Sequence, residues 1–253
     1  MSNELAAVYP EYNAGGFTKY DGTIEFYGRI NALLLPNMTA VDLGAGRGQQ
    51  FETNNRYRRE LLTIRGKVAK VIGIDVDPVV LENTYVDEAL VYDGIRLPLD
   101  DGLADMIFCD WVLEHIEHPK LFSAEVERVL RPGGWFCART PNSFSILAMA
   151  SRAIPNGLHA RLLQKIQSGR RQARDVFPTF YRMNSRAVIG RLFPRSRWLN
   201  CTYTWSPEPA YTFGSPSLTR IMGAMQYLKQ PLGGECLFVF VQKNKSPSLP
   251  PSV

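Results

Sequence analysis

The stretch VDLGAGRGQ, Val41 to Gln49, joins an apolar run ending in Asp42 to three alternate glycines, Gly44, Gly46 and Gly48. Glycine accepts φ > 0 and carries no side chain, so such a main chain turns tightly and lets a ligand lie against it. The spacing departs from the dinucleotide fingerprint GxGxxG, whose third glycine would fall at Gln49, a long polar residue. That argues against a pyrophosphate seated on a helix N-terminus. What the loop offers is an acidic residue beside open backbone, which suits a ligand carrying an amine and a carboxylate. The run KVAKVIGIDVDP, Lys67 to Pro78, has the β-branched density of a buried strand and ends in Asp75. An ionised carboxylate has two oxygens and only acceptors, so Asp75 at a strand tip can take both hydroxyls of a ribose. Asp77, directly before Pro78, reads as a helix cap. The bland alternative, in which Asp75 itself starts the following helix, stays open.

From Val41 to Gly48 the chain resembles the first motif, hhDhGxGxG, of the class I S-adenosylmethionine-dependent methyltransferases of the small-molecule, "methyltransferase domain 11" type. Leu90 to Pro119, LVYDGIRLPLDDGLADMIFCDWVLEHIEHP, is similar to the family's third and fourth motifs. Leu121 to Asn142, LFSAEVERVLRPGGWFCARTPN, is similar to its helix, PGG turn and fifth strand. The resemblance covers residues 38 to 142 and is weaker on both flanks. It implies S-adenosyl-L-methionine as cofactor, bound by Asp42, Gly44, Ala45, Gly46, Asp75, Val76, Asp93, Gly94, Asp110 and Trp111. In that reading Asp93 reaches the adenine amino group and Asp110 lies over the site. Arg128, Leu130, Pro132, Gly133 and Gly134 need no catalytic role and read as the scaffold that ends a helix and starts a strand.

The reaction this implies is an in-line displacement from a sulfonium, for which positioning alone is worth up to about 7 to 11 kcal/mol. A general base adds roughly a hundredfold to ten-thousandfold when the acceptor is a hydroxyl. His115, five residues after Asp110, is the candidate base; the alternative is a hydrogen-bonded histidine that fixes its loop. His118, beside Pro119, reads as a turn residue, and His159 falls in the cap described below. Tyr181 and Tyr20 are further candidates for closing the pocket, Tyr20 because family members fold an N-terminal helix over the cofactor. Arg182, next to Tyr181 and Phe180 of the FPTF turn, is the candidate acceptor contact, since its planar fork can bind two oxygens at once. No metal site is expected: Asp100, Asp101 and Asp105 look like turn and strand-start residues.

These residues need a parallel sheet to converge. Strand patterns fall near 39–43, 69–75, 89–92, 105–109, 134–140, 198–205 and 235–242, alternating with helical stretches. The expected fold is α/β and Rossmann-like: seven mostly parallel strands, the last antiparallel as the resemblance implies, helices on both faces, and a helical cap inserted after strand 5. One domain spans 1–244, with an N-terminal helical segment (1–37), a cofactor core (38–142), an acceptor cap (143–184) and C-terminal strands (185–244). The Ser/Pro-rich tail, 245–253, reads as disordered. The Asn- and Arg-rich stretch from Gln50 to Gly66 enlarges the usual first connection without an assignable role.

At 253 residues and 45% apolar, the chain can hold one sizeable core. Its four cysteines have no ligand spacing and read as reduced core residues. With no signal-peptide pattern and no apolar run of membrane length, a cytoplasmic location is expected. The net charge of +5 is smaller than the local excess between Arg152 and Arg197, which holds Arg161, Lys165, Arg170, Arg171, Arg174, Arg182, Arg186, Arg191 and Arg195 against Asp175 alone. Such a cluster attracts an anion, or else is a solvated helix face. CDWV stands where nucleic-acid amino methyltransferases carry [DNS]PP[YFW], and no Pro-Cys nucleophile is present, so a nucleic-acid acceptor is not expected. The resulting reading is methyl transfer to a small molecule, at an oxygen of an anionic, saccharide-like or lipid-linked acceptor. The competing reading is a non-catalytic protein of the same fold that docks RNA, protein or an anionic membrane surface through the arginine-rich cap. Oligomeric state is not encoded in any of these features.

Overall fold

Thr39–Leu43 (β1) lies at the centre of a sheet in the order β3-β2-β1-β4-β5-β8-β6, with β7 also paired to β8. The computed structural model describes residues 2–146, 148, 178–210, 212–230 and 233–245. The other strands are Lys70–Asp75 (β2), Glu88–Val91 (β3), Ala104–Asp110 (β4), Leu130–Pro141 (β5), Trp198–Asn200 (β6), Tyr203–Trp205 (β7) and Cys236–Lys243 (β8). The described helices are Ser2–Val8 (α1), Gly22–Leu33 (α2), Arg56–Leu62 (α3), Pro119–Val129 (α4), Arg186–Leu192 (α5) and Pro216–Lys229 (α6). β1 to β5 run parallel and β8 inserts antiparallel to β5. The chain order reverses at β1, which has β2 on one side and β4 on the other, and in such sheets ligands bind beyond the carboxyl ends of the strands at that switch.

Both faces of the sheet are dry, which is why its strands read as continuous apolar runs. Val41, Leu43, Ile72, Ile74, Ile107 and Cys109 point to one side, where they join Val126 and Val129 of α4, Ile189 of α5, Phe193 and Trp198. Ala40, Val71, Met106 and Phe108 point to the other, against Phe26, Tyr27 and Ile30 of α2 and Leu62 of α3. By the same alternation Asp42 faces the α2 side.

The expected mostly parallel α/β sheet with its antiparallel strand is found, with one refinement. The single strand expected at 198–205 is two short strands, giving eight among the described residues, because Asn200 Oδ1 accepts the Thr202 amide at 3.0 Å and turns the chain there. The same turn corrects the reading of the cysteines. Cys109, Cys137 and Cys236 are buried, but Cys201 stands at the break and is exposed. The greater part of the expected cap, 149–177, with His159, Asp175 and the basic residues from Arg152 to Arg174, lies outside the described residues, as does the tail from Ser246. No helix among the described residues is long and apolar enough to cross a membrane.

Candidate cofactor and acceptor site

The glycine loop is hung on β2. The amides of Gly44 and Ala45 both donate to Ile74 O, at 2.7 and 3.2 Å, and φ is +81° at Gly44 and +47° at Gly46. The two glycines serve different ends. A Cβ on Gly44 would come within 2.3 Å of Val112 Cγ2, so absence of a side chain there lets the turn after β4 pack down. A Cβ on Gly46 would meet nothing within 4 Å: it would stand in open space above the loop. The Gly46 amide donates to Asp75 Oδ2 at 2.9 Å, and Asp75 Oδ1 accepts the Asp77 amide at 3.0 Å. Each Asp75 oxygen keeps a further lone pair, so the carboxylate is aimed and still able to accept. From below, the buried Asn83 donates to Ala45 O and Gly46 O, both at 3.1 Å. Asp77 caps the short 3-10 helix Pro78–Glu82 through Val79 N, as its place before Pro78 indicates.

Asp93 is exposed, and its Oδ1 accepts the amides of Arg96 and Ile95, which hold its carboxyl below the usual range. Gly94 adopts φ +80° close to Val76, whose side chain is exposed. Asp42 is buried and its side chain makes no hydrogen bond to the described residues. Burial first, then the neighbouring Asp110 and Asp75, push its carboxyl up to about 8. Asp110 is gripped at both oxygens by Arg139, Nε to Oδ1 at 2.7 Å and Nη2 to Oδ2 at 2.6 Å. Trp111, the next residue, is half-exposed at φ +60°.

On the flank where an acceptor would enter, His115 Nδ1 lies 2.8 Å from Pro178 O. A carbonyl can only accept, so Nδ1 is the ring nitrogen that carries a proton here. The segment after Pro178 folds onto the same turn: Phe180 N and Tyr181 N both donate to Glu114 O, and Arg182 donates from Nη1 to Glu117 O while lying 5.3 Å over the Phe180 ring. Beneath it, Thr140 Oγ1 donates to the buried Glu114 at 2.8 Å and accepts from Asn184 Nδ2 at 2.7 Å. Burial raises the Glu114 carboxyl above the usual range. Tyr20 is exposed in the N-terminal segment, edge-on to Tyr9 at 5.7 Å, and no hydrogen bond or ring contact among the described residues ties it to the glycine loop or to His115.

Residues 41–138 match the family model described as "Methyltransferase domain". The match spans β1 to β5, the part of the chain that carries the glycine loop. The chain is 36% identical over 106 residues to an uncharacterized 37.1 kDa protein of transposon TN4556 from Streptomyces fradiae, covering 39% of this chain and 29% of that protein. Over 77 residues it is 35% identical to a probable S-adenosylmethionine-dependent methyltransferase from Mycolicibacterium smegmatis, covering 29% of this chain and 30% of the other. The chain thus spans about three tenths of the length of these curated relatives. Among solved structures, an S-adenosylmethionine-dependent methyltransferase from Mesorhizobium loti superposes with a TM-score of 0.52 at 18% identity, over 85% of this chain and 96% of that one.

The residues present fit S-adenosylmethionine, the cofactor that the resemblance implies. Gly46 leaves open space over the loop, Asp75 offers acceptors to a diol at its edge, and Asp42 places an uncommitted buried carboxyl beside it. Three members of the site could not be singled out by motif. Asn83 secures the loop from 38 residues away, and Asn184 and Thr140 back Glu114 across similar separations. Arg139 did carry a signal, as a charge inside the apolar run WFCARTPN. The domain also explains the stretch from Gln50 to Gly66. Asn55 Nδ2 donates to Gly15 O at 2.7 Å, Tyr57 lies 5.6 Å from the Phe17 ring, and Arg58 pairs with Asp21, so the stretch straps the N-terminal segment onto the core.

Asn83→Leu, of similar volume, should lower stability by about 1 to 3 kcal/mol, because it strips the donor from two loop carbonyls. Thermal unfolding reads the loss. A Tm unchanged within a degree would remove Asn83 from this role.

Proposed function

We propose that the chain is an S-adenosylmethionine-dependent methyltransferase acting on a small molecule, at an oxygen of an anionic, saccharide-like or lipid-linked acceptor. The observation that carries the reading is the open space over Gly46 with the Asp75 carboxylate fixed to the Gly46 amide. When bound, the cofactor supplies an electrophilic methyl on a sulfonium. The chain's part is to hold its ribose at Asp75, its adenine edge at Asp93 and its ammonium at Asp42, with Val76, Gly94 and Trp111 as walls. His115 Nε2 takes the acceptor proton. Arg182 has only Nη1 committed among the described residues, which leaves donors for an anionic acceptor, and Phe180, Tyr181 and Tyr20 close the rim.

Calorimetry with S-adenosylhomocysteine, followed by transfer of labelled methyl to panels of hydroxylated carboxylates, sugars and lipid-linked sugars, tests the proposal. Binding without product on any hydroxyl acceptor would count against the oxygen assignment. Absence of binding would defeat the whole reading. His115→Asn keeps an N–H for Pro178 O but lacks a basic nitrogen, so turnover should fall about a hundredfold with cofactor affinity unchanged. Equal turnover in that variant returns His115 to a loop-fixing role.

The Asp42 carboxyl adds a pH test. With its pKa near 8, it is mostly protonated at pH 7, whereas an ammonium beside it favours the ionised form. Binding should therefore release part of a proton at pH 7, and affinity should rise with pH until about 8. Calorimetry in buffers of different protonation heat measures this, and zero release would remove Asp42 as the ammonium partner. Stability runs the other way. The folded state holds the Asp42 proton more tightly than the unfolded chain, so this group's contribution declines as pH rises from about 4 through 8.

A further inference from the structure

Arg139 is the only ionic partner of Asp110 among the described residues, and all of its nitrogens are committed. Besides the two bonds to Asp110, Nη1 donates to Thr23 Oγ1 at 3.1 Å, and the guanidinium lies between rings, 5.5 Å from Phe26 and 5.2 Å from Trp111. The Arg139 carbonyl accepts the Trp111 amide at 2.9 Å, so side chain and main chain grip both sides of a residue held at a strained positive φ. Val112, one residue on, rests on Gly44. The pair therefore sits at the β1–β4 switch, against the glycine loop and beside Asp42.

We propose that Arg139 is a positioning residue that fixes the Trp111 wall and, by neutralising Asp110, sets the charge of the pocket and hence its preference between cationic donor and demethylated product. This rests on the methyltransferase reading above. The donor carries a sulfonium and the product a neutral thioether, so the two differ by one positive charge. In methyl transfer that charge disperses as the carbon leaves sulfur. An unpaired carboxylate nearby would hold the reactant more strongly than the transition state and slow the step. Arg139 prevents this overbinding while keeping Asp110 as a structural anchor.

Calorimetry of the full chain with S-adenosylmethionine and with S-adenosylhomocysteine gives the affinity ratio that tests the inference. Arg139→Gln frees the Asp110 charge and should raise the donor-over-product ratio about tenfold, while Asp110→Asn leaves Arg139 uncompensated and should lower it by about as much. The double variant, Asp110→Asn with Arg139→Gln, restores a neutral pair, and its ratio should return to within about twofold of the wild type. Arg139→Gln should also change tryptophan emission on ligand addition, through Trp111. If Arg139→Gln does not fold, Asp110→Asn decides the matter alone, since the amide still bonds to Arg139. A role confined to stability would lower both affinities together, and an unchanged ratio in a folded single variant overturns the inference. Wild-type protein that binds neither compound overturns the cofactor reading and this inference with it.

Discussion

Asp75→Ala should weaken S-adenosylhomocysteine binding about a hundredfold. Two hydroxyl donors on one carboxylate form charge-assisted bonds of about 1.5 kcal/mol each, and about 3 kcal/mol corresponds to two decades in Kd. The fold loses less. Asp75 lies at the strand tip, and its own partners are the part-buried amides of Gly46 and Asp77, which water can satisfy in the variant. A cost of about 1 kcal/mol in stability is expected. Calorimetry and thermal unfolding on the same preparation separate the two quantities. Affinity within threefold of the wild type would remove Asp75 from the ribose site.

The second large effect comes from two glycines that look alike in the sequence. At Gly46, valine projects into space that the structure leaves open, so binding should fall below detection while the fold loses about 1 to 2 kcal/mol for a branched residue at positive φ. At Gly44, even alanine drives a methyl into Val112 and stability should drop by about 2 to 4 kcal/mol. Unfolding curves and ligand titrations of both variants give opposite patterns: one folded and blind to the cofactor, the other failing first by heat. Similar losses in both would mean that the loop is only a tight turn and that the space above Gly46 holds nothing.

The core from β1 to β5 is legible in the sequence because each of its signals is local. Alternation and β-branching mark β1, β2 and β4; Pro78 explains the Asp77 cap; and Arg128 does hold scaffold, bonding Leu97 O, Leu99 O, Asp101 and Glu125. What stayed hidden depends on partners far along the chain. Asp110 is legible as the end of its strand, but its bidentate partner Arg139 lies on the next strand, where no local pattern pairs the two. The same holds for Asn83 under the loop, and for Asn55, Tyr57 and Arg58 against the N-terminal segment. The single strand expected at 198–205 failed for a smaller reason: one side-chain acceptor, Asn200, competes locally with the ladder.

The strap has a mechanical consequence. Asp21 uses Oδ1 to cap α2, through the amides of Thr23 and Ile24, and Oδ2 to meet Arg58. Thr23 in turn touches Arg139, and Arg139 holds Asp110. Five residues, Arg58, Asp21, Thr23, Arg139 and Asp110, thus form one continuous polar chain from helix α3 through the start of α2 to the carboxyl ends of β5 and β4, so the N-terminal segment and the sheet edge of the candidate pocket share one set of hydrogen bonds.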